Sequence, residues 1–277
     1  MIFPNQPQST DAVATHYDEL DLFYRDVWGE HVHHGYWRTG QETAGEATEA
    51  LVHLVATQLD LSPGHHVCDI GCGYGATARL LADREYVTVT GVTVSPAQAA
   101  QALPTINPKI LVQDWLTNDF PDASFDRAYA IESSEHMPDK QQFFIQAART
   151  LKPNGRLVIC AWLSRERPKL WEIRHLLEPI CREGRLPHMG DETDYRTLAE
   201  TAGLRVLTVE DISKNVRRTW SICLRRMLAG LLTDPRYLRY LLNPKAKNRI
   251  FAVTMVRILI AYQTGSMRYC VMTFQKA

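Results

Sequence analysis

A chain of 277 residues can form one sizeable domain, or one domain with an elaboration. Hydrophobic residues at 45% and charged residues at 22% are ordinary for a globular protein, and a formal net charge of zero gives no global reason to expect a nucleic-acid partner. Charge is uneven along the chain, however: residues 1–60 are acidic, with only Arg25 and Arg38 in opposition. Later, Lys214, Arg217, Arg218, Arg225, Arg226, Arg236, Arg239, Lys245, Lys247, Arg249 and Arg257 face Asp234 alone. That basic, apolar-rich segment reads either as a solvated face or as a peripheral contact with an anionic membrane surface.

In chain order, residues 1–60 are expected to form an N-terminal helical lid. Residues 1–16 have neither a basic n-region nor an apolar core, so no signal peptide is expected. From 61 to 163 short β-branched runs (87–94, 109–113, 156–162) alternate with Ala/Leu-rich stretches (76–85, 95–103, 139–151), which predicts a parallel sheet wrapped by helices. Lys152-Pro-Asn-Gly155 is expected to be a turn between a helix and a strand. Residues 164–190, with Pro168, Pro179 and Pro187, read as an insertion. The core resumes over 191–211, with a helix at 191–202 and a strand at 204–210. A helical cap over 212–264 is broken at Pro235 and Pro244, and 265–277 supplies the last core strand. The apolar stretch from Ile250 to Tyr262 is too short to span a bilayer and contains Arg257. Cys68, Cys72, Cys160, Cys181, Cys223 and Cys270 lack zinc-ligand spacing and read as reduced core thiols of a cytoplasmic protein.

The segment Asp69-Ile-Gly71-Cys72-Gly73-Tyr-Gly75 has the glycines of a sharp turn after a strand, where backbone approaches a ligand closely. Such glycines are shared with dinucleotide-binding folds. Three features favour S-adenosylmethionine over NAD. Asp69 could receive a cationic amine, which a pyrophosphate site would not favour. The next strand ends in Gly91-Val-Thr93-Val-Ser95, without the acid expected at an NAD ribose. Asp114-Trp115 closes a further strand, where a carboxylate could accept from an adenine amine and an indole could pack on the ring.

Together with 28–37 (WGEHVHHGYW), 67–82 (VCDIGCGYGATARLLA), 91–99, 131–140 (IESSEHMPDK), 151–162 and 265–276, these features make the chain resemble the tocopherol C-methyltransferase group of class I methyltransferases. That group is itself similar to the cyclopropane-fatty-acid synthase and sarcosine methyltransferase groups. The resemblance implies a Rossmann-like α/β fold, with a seven-stranded, mostly parallel sheet, helices on both faces and a helical cap. It implies that Gly71, Cys72, Gly73 and Gly75 line the methionine moiety and that Thr93 and Gln98 meet the ribose. Asp114 and Trp115 would hold the adenine, Ile131, Glu132 and His136 would flank the methyl group, and His33 to Tyr36 would fold over the cofactor. The stretch after Ser95 is short, since Leu103-Pro104 soon leads to Lys109, a departure that bears on the adenine edge.

Methyl transfer chiefly requires the protein to hold acceptor, methyl and sulfur in line and dry. His136 with Glu135 is the candidate general base; alternatively His136 merely starts a helix. His34, Trp162, His188 and Trp220 are candidate acceptor contacts. His31, His33 and His34 have no thiolate or carboxylate at ligand spacing, so no metal is expected. The acceptor is expected to be small and fairly apolar, an aromatic or prenylated phenol methylated on carbon, with N- or O-methylation of a secondary metabolite as the runner-up. Rival classes are an NAD-dependent oxidoreductase and a non-catalytic cofactor-binding module.

Overall fold

The computed structural model describes residues 1–6, 8, 26–29, 31–102, 106–243 and 251–277. Its centre is a seven-stranded sheet in the order β3-β2-β1-β4-β5-β7-β6. The strands are β1 (His66–Ile70), β2 (Thr88–Thr93), β3 (Lys109–Val112), β4 (Phe125–Ile131), β5 (Leu151–Ser164), β6 (Leu204–Asp211) and β7 (Met267–Lys276). The first five run parallel, and β7 is antiparallel to both neighbours. The central strands are covered on both faces, which is why they read as continuous apolar runs rather than alternating ones.

The helices around the site begin where their local sequence says they should. α1 (Ala44–Leu59) opens with a capping box, Thr43 accepting from Glu46 N while Glu46 reaches back, and buries Leu51, Val52, Val55 and Leu59. α2 (Ala76–Glu85) starts at Gly75, whose φ of +71° suits glycine. α3 (Pro96–Gln101) has Ser95 as N-cap and Pro96 in its first turn. α4 (Lys140–Thr150) is capped by Asp139 and packs Phe143, Phe144 and Ala147 onto one face of the sheet. α1 and α2 contribute to the core on the other face.

One expectation needs correction. The expected turn at 152–155 lies inside β5, which already begins at Leu151; the irregularity is absorbed by Asn154 at φ +63° and a register shift against β4 between Phe125 and Arg127. Within 164–190, the segment read from sequence as an insertion, α5 (Leu170–Glu172), a π-helical turn (Ile173–Leu177) and α6 (Glu178–Glu183) run end to end. Pro179 lies within this continuous helical run, directly after the π-helical turn. Thereafter α7 (Glu192–Thr201) precedes β6, and the cap comprises α8 (Ser213–Val216), α9 (Arg218–Thr233), α10 (Pro235–Leu242) and α11 (Phe251–Thr264). Of the lid expected over 1–60, residues 9–25 lie outside the described residues, as does the break expected at Pro244. All six cysteines are buried and free, and no helix among the described residues is long and apolar enough to cross a membrane.

Candidate active site

The chain leaves β1 towards β2 and β3 on one side and returns to β4 on the other. The carboxyl ends of β1 and β4 therefore diverge into a crevice, the position where open α/β sheets bind ligands. Two adjoining cavities occupy it. The smaller, about 50 Å³, is lined by His31, Val32, His33, Asp69, Gly71, Cys72, Gly73 and Tyr129, among others. The larger, about 120 Å³, is lined by residues including Thr93, Ser95, Gln98, Asp114, Ile131, Glu132 and His136. Val32, Gly71, Gly73 and Ile131 border both.

The β1–α2 loop can lie this close only because of its glycines. Gly71 has φ +84°, and a Cβ there would fall 2.3 Å from Ser133 Cβ; Gly73, at φ +52°, faces open space. Gly75 borders neither cavity and serves as the N-cap of α2.

Asp69 is 3% exposed. Its Oδ2 and the Tyr129 hydroxyl are the two buried side-chain oxygens without a hydrogen-bond partner among the described residues. Burial pushes the Asp69 carboxyl up to about 7, an effect moderated by the neighbouring Tyr129 hydroxyl. A buried, unsatisfied carboxyl is costly unless a ligand completes it. The ammonium group of a methionyl moiety is a donor of that kind. At the other end Thr93 Oγ1 donates to Gln98 Oε1 at 3.0 Å and accepts from Ser95 N at 3.2 Å, a buried polar trio at the end of β2. The donor set therefore fits S-adenosylmethionine: carboxylate at the narrow end, neutral hydroxyl and amide groups further along.

Several residues sit differently from expectation. Asp114 Oδ1 caps the next turn by accepting from Leu116 N at 2.9 Å. Trp115 borders the larger cavity, yet its indole is 2% exposed and donates to Phe143 O at 3.2 Å, so the expected broad stacking of that ring on an adenine is not available. Tyr36 packs on the core, its N–H bonded to Ala47 O, and borders neither cavity.

Glu135 turns away from His136. It is 2% exposed and accepts from Trp162 N at 2.7 Å and from Ser134 Oγ at 3.1 Å, so it does not orient the imidazole. Burial raises its carboxyl to about 7. Lys140, also buried, is held by the carbonyls of Glu135, Met137 and His188, and burial lowers its ammonium to about 8. His188 lies against Phe3 with ring centroids 5.2 Å apart and borders neither cavity, because the pairing of Ile2 with Met189 brings the N-terminal segment over it.

His34 and Trp220 are bonded to each other rather than directed to an acceptor: Trp220 Nε1 donates to His34 Nε2 at 2.7 Å. The carboxylate of Glu132 is also committed, although the residue borders the larger cavity. It accepts from His34 N (2.7 Å), His34 Nδ1 (2.9 Å) and Tyr269 Oη (2.8 Å) through Oε1, and from Trp162 Nε1 (3.0 Å) through Oε2. Burial would raise this carboxyl, but the imidazoles of His34 and His33 and these donors hold it at about 2. Tyr269 and Ser95 were not singled out from sequence. Ser95 had a local signal, Ser-Pro at a helix start; Tyr269 had none. Among the described residues no group of His, Cys, Asp and Glu could hold a metal ion.

The strand order with its antiparallel seventh strand, the glycine turn and the buried acid at its head define an S-adenosylmethionine-dependent methyltransferase of class I. The chain belongs to the mycolic acid cyclopropane synthetase family, whose model matches residues 5–231. It is 29% identical, over 98% of its own length and 79% of the relative's, to a probable chloroplastic tocopherol O-methyltransferase of Oryza sativa subsp. japonica. It is 33% identical, over 74% of its length and 78% of the relative's, to the 27-O-demethylrifamycin SV methyltransferase of Amycolatopsis mediterranei (strain S699). Its fold is also that of the mycolic acid cyclopropane synthase CmaA1, solved with S-adenosylhomocysteine (SAH) and CTAB: TM-score 0.81, 22% identity, 98% of this chain and 99% of that one.

Proposed function

We propose that this methyltransferase acts on a small, fairly apolar acceptor, an aromatic or prenylated phenol methylated on carbon, with His136 as the general base. Asp69 would take the cofactor's ammonium, Gly71, Cys72 and Gly73 would line its methionyl chain, and Thr93, Ser95 and Gln98 would meet the ribose. Asp114 and the Trp115 backbone would bound the adenine. When bound, S-adenosylmethionine supplies a methyl group already activated on a sulfonium. The chain's own task is then to orient the acceptor, exclude water and accept a proton.

The observation that carries this reading is the place of His136. It ends the 3-10 turn Ser134–His136 just past β4, where it borders the larger cavity beside Ile131, Met137 and Pro138. Its Nδ1 meets Arg185 O at 3.4 Å. An imidazole lining this cavity can take the proton of a phenol. The relative named for tocopherol supports the acceptor class. The relative named for a rifamycin supports O-methylation of a secondary metabolite as a second reading.

His136→Ala is expected to lower kcat by about 10²- to 10⁴-fold, with the dissociation constant for SAH within about threefold of wild type. Unchanged kcat would remove His136 as base. Labelled methyl groups offered with a panel of prenylated phenols and polyketide phenols identify the acceptor class, and NMR of the product identifies the atom. Label recovered only in protein or RNA would overturn the acceptor reading.

We place the enzyme in the cytoplasm, with the cap as a peripheral membrane contact. Leu232 and Leu242 are 88% and 69% exposed, and Arg225 and Arg239 are exposed on the same helices, the combination that favours anionic lipid. Flotation with anionic vesicles is expected at low salt and to weaken at high salt; absence of binding at both rejects the contact.

A further inference from the structure

The carboxylate of Glu132 accepts four hydrogen bonds from protein donors, and the residue sits at the end of β4 in a left-handed conformation, φ +52°, that a glutamate rarely adopts. Outliers of this kind persist where the surroundings over-determine them, and they gather at functional sites. The surroundings here come from four separate parts of the chain. His34 lies in the loop over the cofactor crevice, Trp162 is on β5, Tyr269 is on β7, and Trp220 reaches the cluster from α9 through His34.

The bonding fixes the tautomer of His34. An indole N–H can only donate, so His34 Nε2, 2.7 Å from Trp220 Nε1, must be the bare nitrogen. The proton therefore sits on Nδ1, where it donates to Glu132. The imidazole is fully buried and boxed edge-on by Trp162, Trp220 and Tyr262, with Tyr269 tilted against it. From His34 the chain of contacts continues to the cofactor site. His33 Nδ1 lies 2.9 Å from His34 O and donates to it, which leaves His33 Nε2 to accept from Thr77 Oγ1 at 3.3 Å. His33 and Thr77 both line the smaller cavity.

We propose that Glu132 is a positioning residue: it clamps the loop 31–37 over the methionyl end of the cofactor site by holding His34 in its Nδ1–H tautomer, so that cofactor affinity depends on how this carboxylate holds the loop. The idea rests on the assignment of the two cavities to S-adenosylmethionine. Releasing His34 lets His33 leave the cavity wall. The binding-competent loop then becomes a fraction of the population, and apparent affinity falls by that fraction. Unlike a residue that only supports the fold, Glu132 is then expected to affect cofactor binding more than stability, and its partners to act through the same loop.

The experiment uses the full chain with SAH as probe. Glu132→Gln leaves one acceptor oxygen in place of two and is expected to raise the SAH dissociation constant at least about tenfold and to speed amide hydrogen exchange across 31–37. Tyr269→Phe, which removes one donor with almost no change in volume, is expected to raise it about threefold and serves should Glu132→Gln fail to fold. His34→Asn, whose amide can replace the Nδ1 donor but not the Nε2 acceptor, is expected to retain more affinity than His34→Phe. In the wild type, ¹⁵N NMR is expected to show His34 protonated on Nδ1 alone. The proposal is overturned if Tyr269→Phe and both His34 variants leave SAH affinity and exchange at 31–37 within twofold of wild type. It is equally overturned if His34 carries its proton on Nε2. Failure of the wild type to bind SAH would instead overturn the cofactor-site assignment beneath it.

Discussion

Asp69→Asn is expected to make the unliganded protein more stable above neutral pH while weakening cofactor binding by at least about 30-fold, the equivalent of about 2 kcal/mol. Both effects come from one group. The folded state raises this carboxyl from its ordinary 3.8 to about 7 because burial disfavours the charge. The folded chain therefore binds an extra proton between those values, and stability from this source is full below about 3.8 and lost as pH rises through about 7. At 1.36 kcal/mol per decade of equilibrium constant, the ionised, unliganded state bears a cost on the order of 4 kcal/mol, an upper bound for a group able to relax. Asparagine has the same shape and never ionises, so thermal unfolding of the unliganded variant at pH 8 is expected several degrees above wild type.

An ammonium ligand reverses the preference, because it pairs with the charged form. Cofactor affinity of the wild type is then expected to rise with pH, by at most tenfold per unit, and to level off above about 7 as Asp69 no longer has a proton to release. Calorimetric titrations in two buffers of different ionisation enthalpy read that proton directly. Affinity independent of pH between 5 and 8, or an Asp69→Asn variant that binds normally, would refute the assignment of Asp69 to the ammonium group.

Gly71→Ala is expected to cost at least about 100-fold in kcat/KM for the cofactor while the chain still folds. At φ +84° an alanine is strained by roughly 1–2 kcal/mol. The larger effect is steric: its Cβ would fall 2.3 Å from Ser133 Cβ, and one of the two must move. Ser133 is poorly placed to yield, since its hydroxyl is bonded to Ile70 O and it follows Glu132 directly. The loop must shift instead, and displacement by about 1 Å at a reacting centre costs about 10²-fold. Gly73→Ala offers a comparison: at φ +52° it bears backbone strain too, but its added Cβ meets no neighbour within 4 Å among the described residues, so the steric part of the Gly71 effect is missing there. Normal kinetics for Gly71→Ala would mean that the turn is looser than its geometry indicates.

The elements whose causes lie within a few residues were legible in the sequence. The helix expected over 76–85 is observed as Ala76–Glu85, since Gly75 starts it and an apolar face carries it. The helix at 140–150 follows from Asp139 as N-cap, and the buried acid two residues before Gly71 follows from the strand–turn spacing. The reading failed where adjacency in sequence was taken for adjacency in space. Glu135 precedes His136, but the tight turn at Ser134–His136 sends the acid to the backbone of Trp162, so the pair has no joint role. His188, read as a candidate from its loop, and Tyr36, implied by the resemblance, are placed away from both cavities by the Ile2–Met189 pairing and by packing on α1.

By itself the sequence determined the sheet with its alternating helices, the glycine turn, Asp69 and therefore the cofactor, because a strand, a turn and a helix start are specified by neighbouring residues. Only the tertiary structure decided how the loop over the cofactor is held. The bond from Trp220 to His34 joins residues 186 apart, and that from Tyr269 to Glu132 joins residues 137 apart. Hydrogen bonds of such range leave no periodicity and no local spacing in a chain. They exist only once β4, β5, β7 and α9 have been brought to the same edge of the sheet.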